Sequence, residues 1–492
     1  MSMIQVNNLT FAYEGSYDSI FEDVSFRIDT NWKLGLTGRN GRGKTTLLRL
    51  LQGEYDYEGS IDAPVGFDYF PTPVEDPSLP TADVLAQVCP EAMEWELLRE
   101  IGQLKVDESV LLRPFSTLSN GEQVKVHLAA LFCRENRFLL LDEPTNHLDA
   151  EARRAVAAYL GGKRGFILVS HDRAFLDGCV DHILSINRSD VEVQRGTFSS
   201  WWENKKRQDA WEMERNEQLR QDIGRLQSAA DRAAKWSSRT EKEKFHADAS
   251  GLRPDRGFVG HKAAKMMQRS KSIEQRRRKA AEEKTELLKN VEKAEPLKLH
   301  PLSYHTSRLV ELRDVSVAYD GRQVCAPVSF TLHRGDRIAL SGRNGCGKSS
   351  LLRLICGEEV PHTGVCTVPD RLAISYVPQS TEGLRGSLRS YARDCRVDET
   401  LFLAILRKLD FNRVQFEKDL SEYSEGQKKK VLIARSLSES AHLYVWDEPL
   451  NYIDIYSRMQ VEELIREVQP TMLFVEHDAA FRENTATAVV EL

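Results

Sequence analysis

Apolar residues along this chain follow two kinds of pattern. In two stretches, short apolar runs alternate with amphipathic segments. Trp32-Lys33-Leu34-Gly35-Leu36 and Arg337-Ile338-Ala339-Leu340 each lead into a glycine-rich loop and then a segment bearing LLRLL or LLRLI, which predicts strand, loop and helix. Phe138–Leu141 and Leu443–Trp446 predict buried strands ending in Asp-Glu, and Phe166–Ser170 and Met472–Glu476 predict strands ending near His-Asp. Such alternation predicts an α/β layer fold with its ligand at the strand ends.

Between these stretches the period changes. Trp211, Leu219, Ile223, Leu226, Ala230 and Ala233 recur at threes, fours and one eight, the spacing of a helical stripe. No proline occurs between Gly196 and Pro254, and Gly224 is expected to cost only about 1 kcal/mol within the run. A cluster of breakers (Gly251, Pro254, Gly257, Gly260) follows, then a second helical run to Pro296 with Met266, Ile273, Ala280 and Leu287 seven apart. This predicts an antiparallel helical hairpin with its tip near 246–260. About 45 helical residues would reach on the order of 65 Å.

The two α/β stretches are copies of one another. GLTGRNGRGKTTLLRLLQGE begins at Gly35 and ALSGRNGCGKSSLLRLICGE at Ala339. Lys44 to Ser119 is 75 residues and Lys348 to Ser424 is 76; Ser119 to Glu143 and Ser424 to Glu448 are both 24; Glu143 to His171 is 28 and Glu448 to His477 is 29. Four landmarks at nearly constant spacing establish a tandem duplication. The expected units are 1–199, 200–300 and 301–492, which agrees with about 150 residues per domain.

Composition narrows the class. With 41% hydrophobic residues the chain can build sizeable cores, and no run approaches the ~18 consecutive apolar residues of a spanning helix. The N-terminus lacks the basic-then-apolar order of a signal peptide, and the eight cysteines form no CxxC pair. A reduced, cytoplasmic protein is expected; an integral transporter or secreted protein is disfavoured. The net charge of −6 hides an asymmetry, because residues 201–300 carry 25 Lys/Arg against 17 Asp/Glu, and the window 252–279 carries 10 against 2. That predicts a polyanion-binding element on an acidic body.

Gly38-Arg39-Asn40-Gly41-Arg42-Gly43-Lys44-Thr45 and Gly342-Arg343-Asn344-Gly345-Cys346-Gly347-Lys348-Ser349, followed by Thr46 and Ser350, both fit G-x-x-x-x-G-K-[ST]. Glycines let backbone N–H groups turn inward around phosphate oxygens, and the following helix adds its positive end. Lys44 and Lys348 are expected to neutralise ATP phosphates, and Thr45 and Ser349 to offer a hydroxyl to Mg²⁺. Asp142 and Asp447 suit Mg²⁺, and Glu143 and Glu448 suit orienting or deprotonating the attacking water. His171 and His477 recur after the next strand, where an imidazole could contact the γ-phosphate.

Leu118-Ser119-Asn120-Gly121-Glu122-Gln123 and Tyr423-Ser424-Glu425-Gly426-Gln427 resemble the ABC signature. Asp142-Glu143-Pro144-Thr145-Asn146-His147-Leu148-Asp149 resembles the Walker B and D-loop run of the ABC-F branch. Two cassettes on one chain, joined by a long charged hairpin, are also the ABC-F layout. Gly260–Arg276, GHKAAKMMQRSKSIEQR, is most similar to the Lsa-type antibiotic-resistance members. The resemblance implies two tandem ABC-type P-loop ATPase domains of α/β fold, arranged head to tail around two ATPs. Site one would combine Lys44, Thr45, Asp142, Glu143 and His171 with Ser424 and Gly426. Site two would combine Lys348, Ser349, Gln379, Asp447, Glu448 and His477 with Ser119 and Gly121. Glu122 and Gln427 are expected beside the nucleotide as signature residues, Gln379 also near Mg²⁺, and Tyr13 and Tyr319 where a ring stacks on adenine.

The resemblance further implies binding to the bacterial 70S ribosome at the tRNA exit (E) site, against 23S rRNA and P-site tRNA, with no membrane or DNA partner. The hairpin would point toward the peptidyl-transferase centre and dislodge lincosamides, pleuromutilins and streptogramin A. Arg253, Arg256, Lys262, Lys265, Arg269 and Lys271 would meet RNA phosphates, and Phe258 and Val259 would approach the drug pocket. A housekeeping ABC-F translation factor is the alternative, and the soluble ATPase subunit of an exporter a more distant one. Thr72 stands where the second half has Gln379, Tyr423 where the signature usually has leucine, and Leu450 where threonine is usual. Thr72 and Tyr423 would belong to site one, so unequal sites are expected, with site one slower or more structural.

Overall fold

The computed structural model describes residues 2–14, 19–146, 148–187, 190–243, 261, 264–265, 267–269, 271–279, 296–319 and 322–492. Strands buried on both faces read as continuous apolar runs and belong in parallel sheets. Phe166–Val169 and Met472–Val475, fully buried along their length, take that place in the two halves. In the first half the sheet order is Gly66–Phe70, Arg137–Asp142, Phe166–Val169, Lys33–Thr37, His182–Ile186, Val191–Arg195. All neighbours are parallel except the last pair. The second half repeats it with five parallel strands: Ile374–Val377, Leu443–Asp447, Met472–Val475, Arg337–Ser341, Ala488–Glu491.

Antiparallel strands accompany each sheet. Met3–Phe11 pairs with Phe21–Asp29 and Glu58–Asp62, and Arg308–Tyr319 pairs with Val328–His333 and His362–Thr367. Ile4, Val6, Leu9 and Phe11 are buried alternately along the first of these, as a sheet with one covered face requires.

The strands Lys33–Thr37 and Arg337–Ser341 each open into a phosphate loop and then a helix, Lys44–Gln52 and Lys348–Ile355. The residues before these helices, Gly43 and Gly347, sit at φ 87° and 89°. At Gly43 a Cβ would lie 2.5 Å from Ile20 Cγ2, so only glycine fits.

The chain divides into two compact units, one formed by Met1–Ser199 with Ala294–Leu492 and the other by Ser200–Lys293. Both α/β halves therefore share one unit. Leu297 and Leu299 belong to the core around Phe402, Tyr444 and Trp446. The second unit holds most of a 46-residue helix, Phe198–Glu243, which runs unbroken through Gly224 and is about 69 Å long at 1.5 Å per residue. The described residues between 261 and 279 are helical, and the Arg277 guanidinium bonds the side chain of Gln227. Those two positions are equidistant in sequence from residue 252, as the two arms of a hairpin must be.

One predicted member of the helical stripe is misplaced. Trp211 is exposed, whereas Glu212 and Leu219 are buried. At 100° per residue, eight residues leave Trp211 about 80° off the face of Leu219, while seven bring Glu212 onto it. The predicted hairpin tip, with Arg253, Arg256, Phe258, Val259 and Lys262, lies outside the described residues.

Candidate functional site

Site two is a cavity of about 630 Å³. From the second half it is lined by Arg343, Asn344, Gly345, Gly347, Lys348, Ser349, Ser350, Gln379, Glu448, Asn451 and His477; from the first by Ser119, Asn120, Gly121, Asp149 and Arg153. The phosphate loop of one half and the signature of the other thus share one space. Lys348 Nζ donates to the carbonyls of Gly342 (2.9 Å) and Arg343 (2.8 Å), which draws the loop around the ammonium. Cys346 lies in the same loop, with Lys348 Nζ 3.9 Å from its Sγ.

Glu448 is gripped from three sides. Gln379 Nε2 donates to Oε2 at 3.0 Å, Asn451 Nδ2 to the same oxygen at 2.7 Å, and His477 Nε2 stands 3.2 Å from Oε1. Burial pushes this carboxyl up, but His477, Gln379 and the Lys348 charge more than offset that and hold it down at about 2.

Its neighbour Asp447 is wholly buried, and among the described residues neither carboxylate oxygen makes a hydrogen bond of ordinary geometry. Burial pushes it up to about 6, opposed by nearby Ser349 and reinforced by Glu448. A buried carboxylate with both oxygens orphaned, beside a hydroxyl at the start of a phosphate-loop helix, fits a hard divalent cation. Asp447 and Ser349 would hold Mg²⁺, which supplies charge neutralisation at the phosphates.

Site one is built from the same parts with different bonding. Lys44 Nζ donates to Gly38 O (2.7 Å), Arg39 O (3.2 Å) and Asn40 Oδ1 (3.2 Å). Burial lowers this ammonium against the opposing charges of Asp454, Glu143 and Asp142. Asp142 Oδ2 accepts from Thr45 Oγ1 at 2.8 Å and from Tyr69 OH at 2.9 Å, so here the aspartate is not orphaned. Thr72 turns away and donates to the Tyr69 carbonyl at 3.0 Å.

His171 Nε2 lies 3.2 Å from Glu143 Oε1. Burial and then the Asp142 charge push Glu143 up to about 8, while burial and Lys44 hold His171 well below its ordinary range. The second half closes this site: Gly426 sits where a Cβ would be 3.3 Å from Asn40 Nδ2, and that amide donates to Tyr452 O at 3.1 Å. The Arg39 guanidinium is 3.5 Å from Asp410 and has a side chain only 6% exposed, against 83% for its counterpart Arg343 beside Glu151.

Tyr13 and Tyr319 are partly exposed and bonded to the residue after the Mg²⁺ hydroxyl in each loop. Tyr13 OH is 2.9 Å from Thr46 Oγ1, and Tyr319 OH donates to Ser350 at 3.0 Å. Each ring therefore stands at the entrance of a phosphate-loop helix. Tyr13 is braced by further aromatics, Phe11 at 5.1 Å and Tyr55 at 5.7 Å; among the described residues Tyr319 has no such neighbour.

Glu122 and Gln427 are each bonded at the start of their own signature helix. Ser119 with Glu122, and Ser424 with Gln427, form reciprocal capping boxes at the starts of the helices Asn120–Phe132 and Glu425–Ser438. Their side chains serve the helix ends, because the first backbone N–H groups of a helix otherwise lack partners. Tyr423 is buried against Phe411 and its hydroxyl donates to the Gln415 carbonyl, so it fills a core rather than a nucleotide site.

Sequence reasoning missed Tyr69, Asn451 and the pair Lys430–Asp454 (2.7 Å) at site one. Tyr69 and Tyr376 recur at matching places, as do Asp149 and Asp454, so recurrence was the available signal. Lys265, Arg269 and Lys271 are exposed on their helix.

A chain whose halves each supply a phosphate loop and the helix start facing the other half's loop is a tandem-cassette ATPase. It belongs to the ABC transporter family, whose profile matches residues 21–146 and 325–451. Among the described residues no helix is long and apolar enough to cross a membrane. The chain is similar to the ribosome protection protein VmlR of Bacillus subtilis, at 27% identity over 97% of this chain and 84% of that one. It is also similar to the energy-dependent translational throttle protein EttA of Haemophilus influenzae, at 24% identity over 96% and 89%. An archaeal ribosome recycling factor, aABCE1, solved with the ribosomal stalk protein aP1, shares the fold at TM-score 0.65 and 18% identity, covering 98% of this chain and 87% of that one.

Proposed function

We propose that this chain is a cytoplasmic ABC-F ATPase of the Lsa type. On this reading it binds the bacterial ribosome at the E site when loaded with ATP and protects it from lincosamides, pleuromutilins and streptogramin A. The observation that carries the proposal is the shared lining of site two. Lys348 belongs to one cassette and Ser119 and Gly121 to the other, yet they bound a single cavity. A nucleotide there touches both cassettes, so its binding favours the closed arrangement and its loss releases it.

Closure sets the state of the roots of the charged hairpin, whose exposed Lys265, Arg269 and Lys271 suit rRNA or tRNA phosphates. VmlR is named for ribosome protection and EttA for translational control, which supports a ribosomal partner. The residues set to act on water are Glu143 and Glu448, with His171 and His477 beside them. Lys44 and Lys348 hold the phosphates.

The test has two parts. A Glu143→Gln, Glu448→Gln double variant should co-sediment with ribosomes in ATP and stay bound; sedimentation indifferent to nucleotide contradicts the mechanism. Expression in a susceptible bacterium should raise the inhibitory concentrations of lincomycin, tiamulin and virginiamycin M. Ribosome binding without that rise favours the alternative that EttA's name supports, a translation factor.

A further inference from the structure

The second signature helix, Glu425–Ser438, starts at the Lys44 site and ends its reach at the other one. Its first turn carries Gly426, packed against Asn40 and Tyr452 O. Lys429, three residues on, is buried with 2% of its surface exposed. Its Nζ donates to the Pro378 carbonyl at 3.2 Å and to the Glu448 carbonyl at 3.0 Å. Pro378 precedes Gln379, which itself bonds the Glu448 carboxylate. One ammonium therefore ties together the signature helix of site one and both the glutamine and glutamate of site two.

The tie has a physical reason to matter. Glu448 sits at φ 47°, a left-handed backbone that a residue with a side chain holds only when its surroundings impose it. Glu143 is in the same conformation at φ 51°, but its carbonyl accepts the Asn146 N–H at 3.3 Å, a bond local to the turn. At the place of Lys429, five residues after the signature serine, the first cassette has Val124, which cannot donate.

The compensating charge is also confined to the second cassette. Lys429 faces Glu476, Asp447, Glu448 and Glu425. Glu476 stands where the first cassette has Ser170, and it accepts the N–H groups of Leu450 (2.8 Å) and His477 (3.1 Å). Leu450, the departure from threonine, is thus part of a turn whose backbone is held by the buried Glu476 carboxylate.

We propose that Lys429 is a positioning residue through which nucleotide engagement at the Lys44 site aligns Glu448 at the Lys348 site, with no reciprocal link through Val124. When the signature helix seats on the first nucleotide, the shift passes along a rigid helix to Nζ and from there to the Glu448 backbone. The result is coupling between two sites through one physical element. This rests on the two-site reading above.

The experiment uses the full chain with Glu143→Gln, so that turnover reports on Glu448. Ser424→Ala, which weakens signature engagement at the Lys44 site, is combined with Lys429→Met in a double-mutant cycle. Each single change should lower kcat about tenfold with the KM for ATP within about twofold, and the pair should lose no more than either alone. The corresponding Ser119→Ala, Val124→Ala cycle in a Glu448→Gln chain should show independent effects. If Lys429→Met does not fold, Lys429→Gln replaces it, since one short amide cannot span both carbonyls. Multiplicative losses at Ser424 and Lys429, or full kcat in a folded Lys429 variant, overturn the link. Turnover surviving in the Glu143→Gln, Glu448→Gln chain would instead overturn the site assignment itself.

Discussion

Asn40 Nδ2 donates to the Tyr452 carbonyl at 3.1 Å, joining positions 412 residues apart in the chain. Tyr452 holds φ 64°, so the second cassette presents that carbonyl from a left-handed turn. The cassettes also meet where the Arg173 guanidinium bonds Glu462, whose other oxygen accepts Asn484 Nδ2 at 2.6 Å. Both members of the ion pair are largely buried.

That pair yields the first prediction. Glu462→Ala leaves Arg173 buried without its carboxylate, a change that typically costs about 3–5 kcal/mol. A clear fall in the thermal midpoint of the nucleotide-free protein is expected. Arg173→Ala, Glu462→Ala together should lose less than the two single losses added, and calorimetry on the four proteins checks it.

Site two holds its glutamate ionised and site one does not. In a Glu448→Gln chain, turnover depends on Glu143, whose carboxyl sits at about 8; its rate should climb as pH rises through that value. In a Glu143→Gln chain, Glu448 at about 2 is already ionised and Asp447 at about 6 is ionised above neutrality, so the rate should be flat from about pH 7.5 to 9. At pH 7 the Glu143-dependent rate should be the smaller, agreeing with the expectation of a slower site one. Indistinguishable profiles would remove the asymmetry.

The same group sets a stability trend. Glu143 titrates at about 8 when folded, against about 4.3 when unfolded, so its contribution is fully present below about pH 4 and lost as pH rises to about 8. The loss is at most about 1.4 kcal/mol per pH unit. Nucleotide-free Glu143→Gln protein should therefore exceed wild type in melting temperature by more at pH 8 than at pH 5. A constant gap would show that Glu143 ionises normally.

The two tyrosines separate ring from hydroxyl. Tyr13→Phe and Tyr319→Phe remove only the bonds to Thr46 and Ser350, so ATP affinity should fall by less than about fivefold. Tyr13→Ala and Tyr319→Ala remove the stacking surface, worth about 1–3 kcal/mol, and should weaken binding about tenfold or more. Titration with a fluorescent ATP analogue distinguishes them.

Much of the arrangement was readable in the residues. Both phosphate loops, the Asp-Glu strand ends and the recurring His171 and His477 come from local motifs. Their glycines and charges are dictated by backbone geometry within a few residues, and each appears twice. The residues alone left open the cases in which a side chain had two competing uses. Ser119-x-x-Glu122 is itself a capping-box pattern, and the helix start claimed Glu122. Tyr423 could be a site residue or core, and the volume beside Phe411 decided it.

The sequence alone determined that two phosphate-binding halves flank a long basic helical segment, because periodicity, glycine placement and charge are properties of neighbouring residues. Only the tertiary structure decided that the Asp447 carboxylate is left without a direct bond while Asp142 is bonded, and that Lys429 reaches the Glu448 backbone. Those outcomes depend on contacts between residues far apart in the chain, where burial and partner geometry, rather than residue type, set the energy.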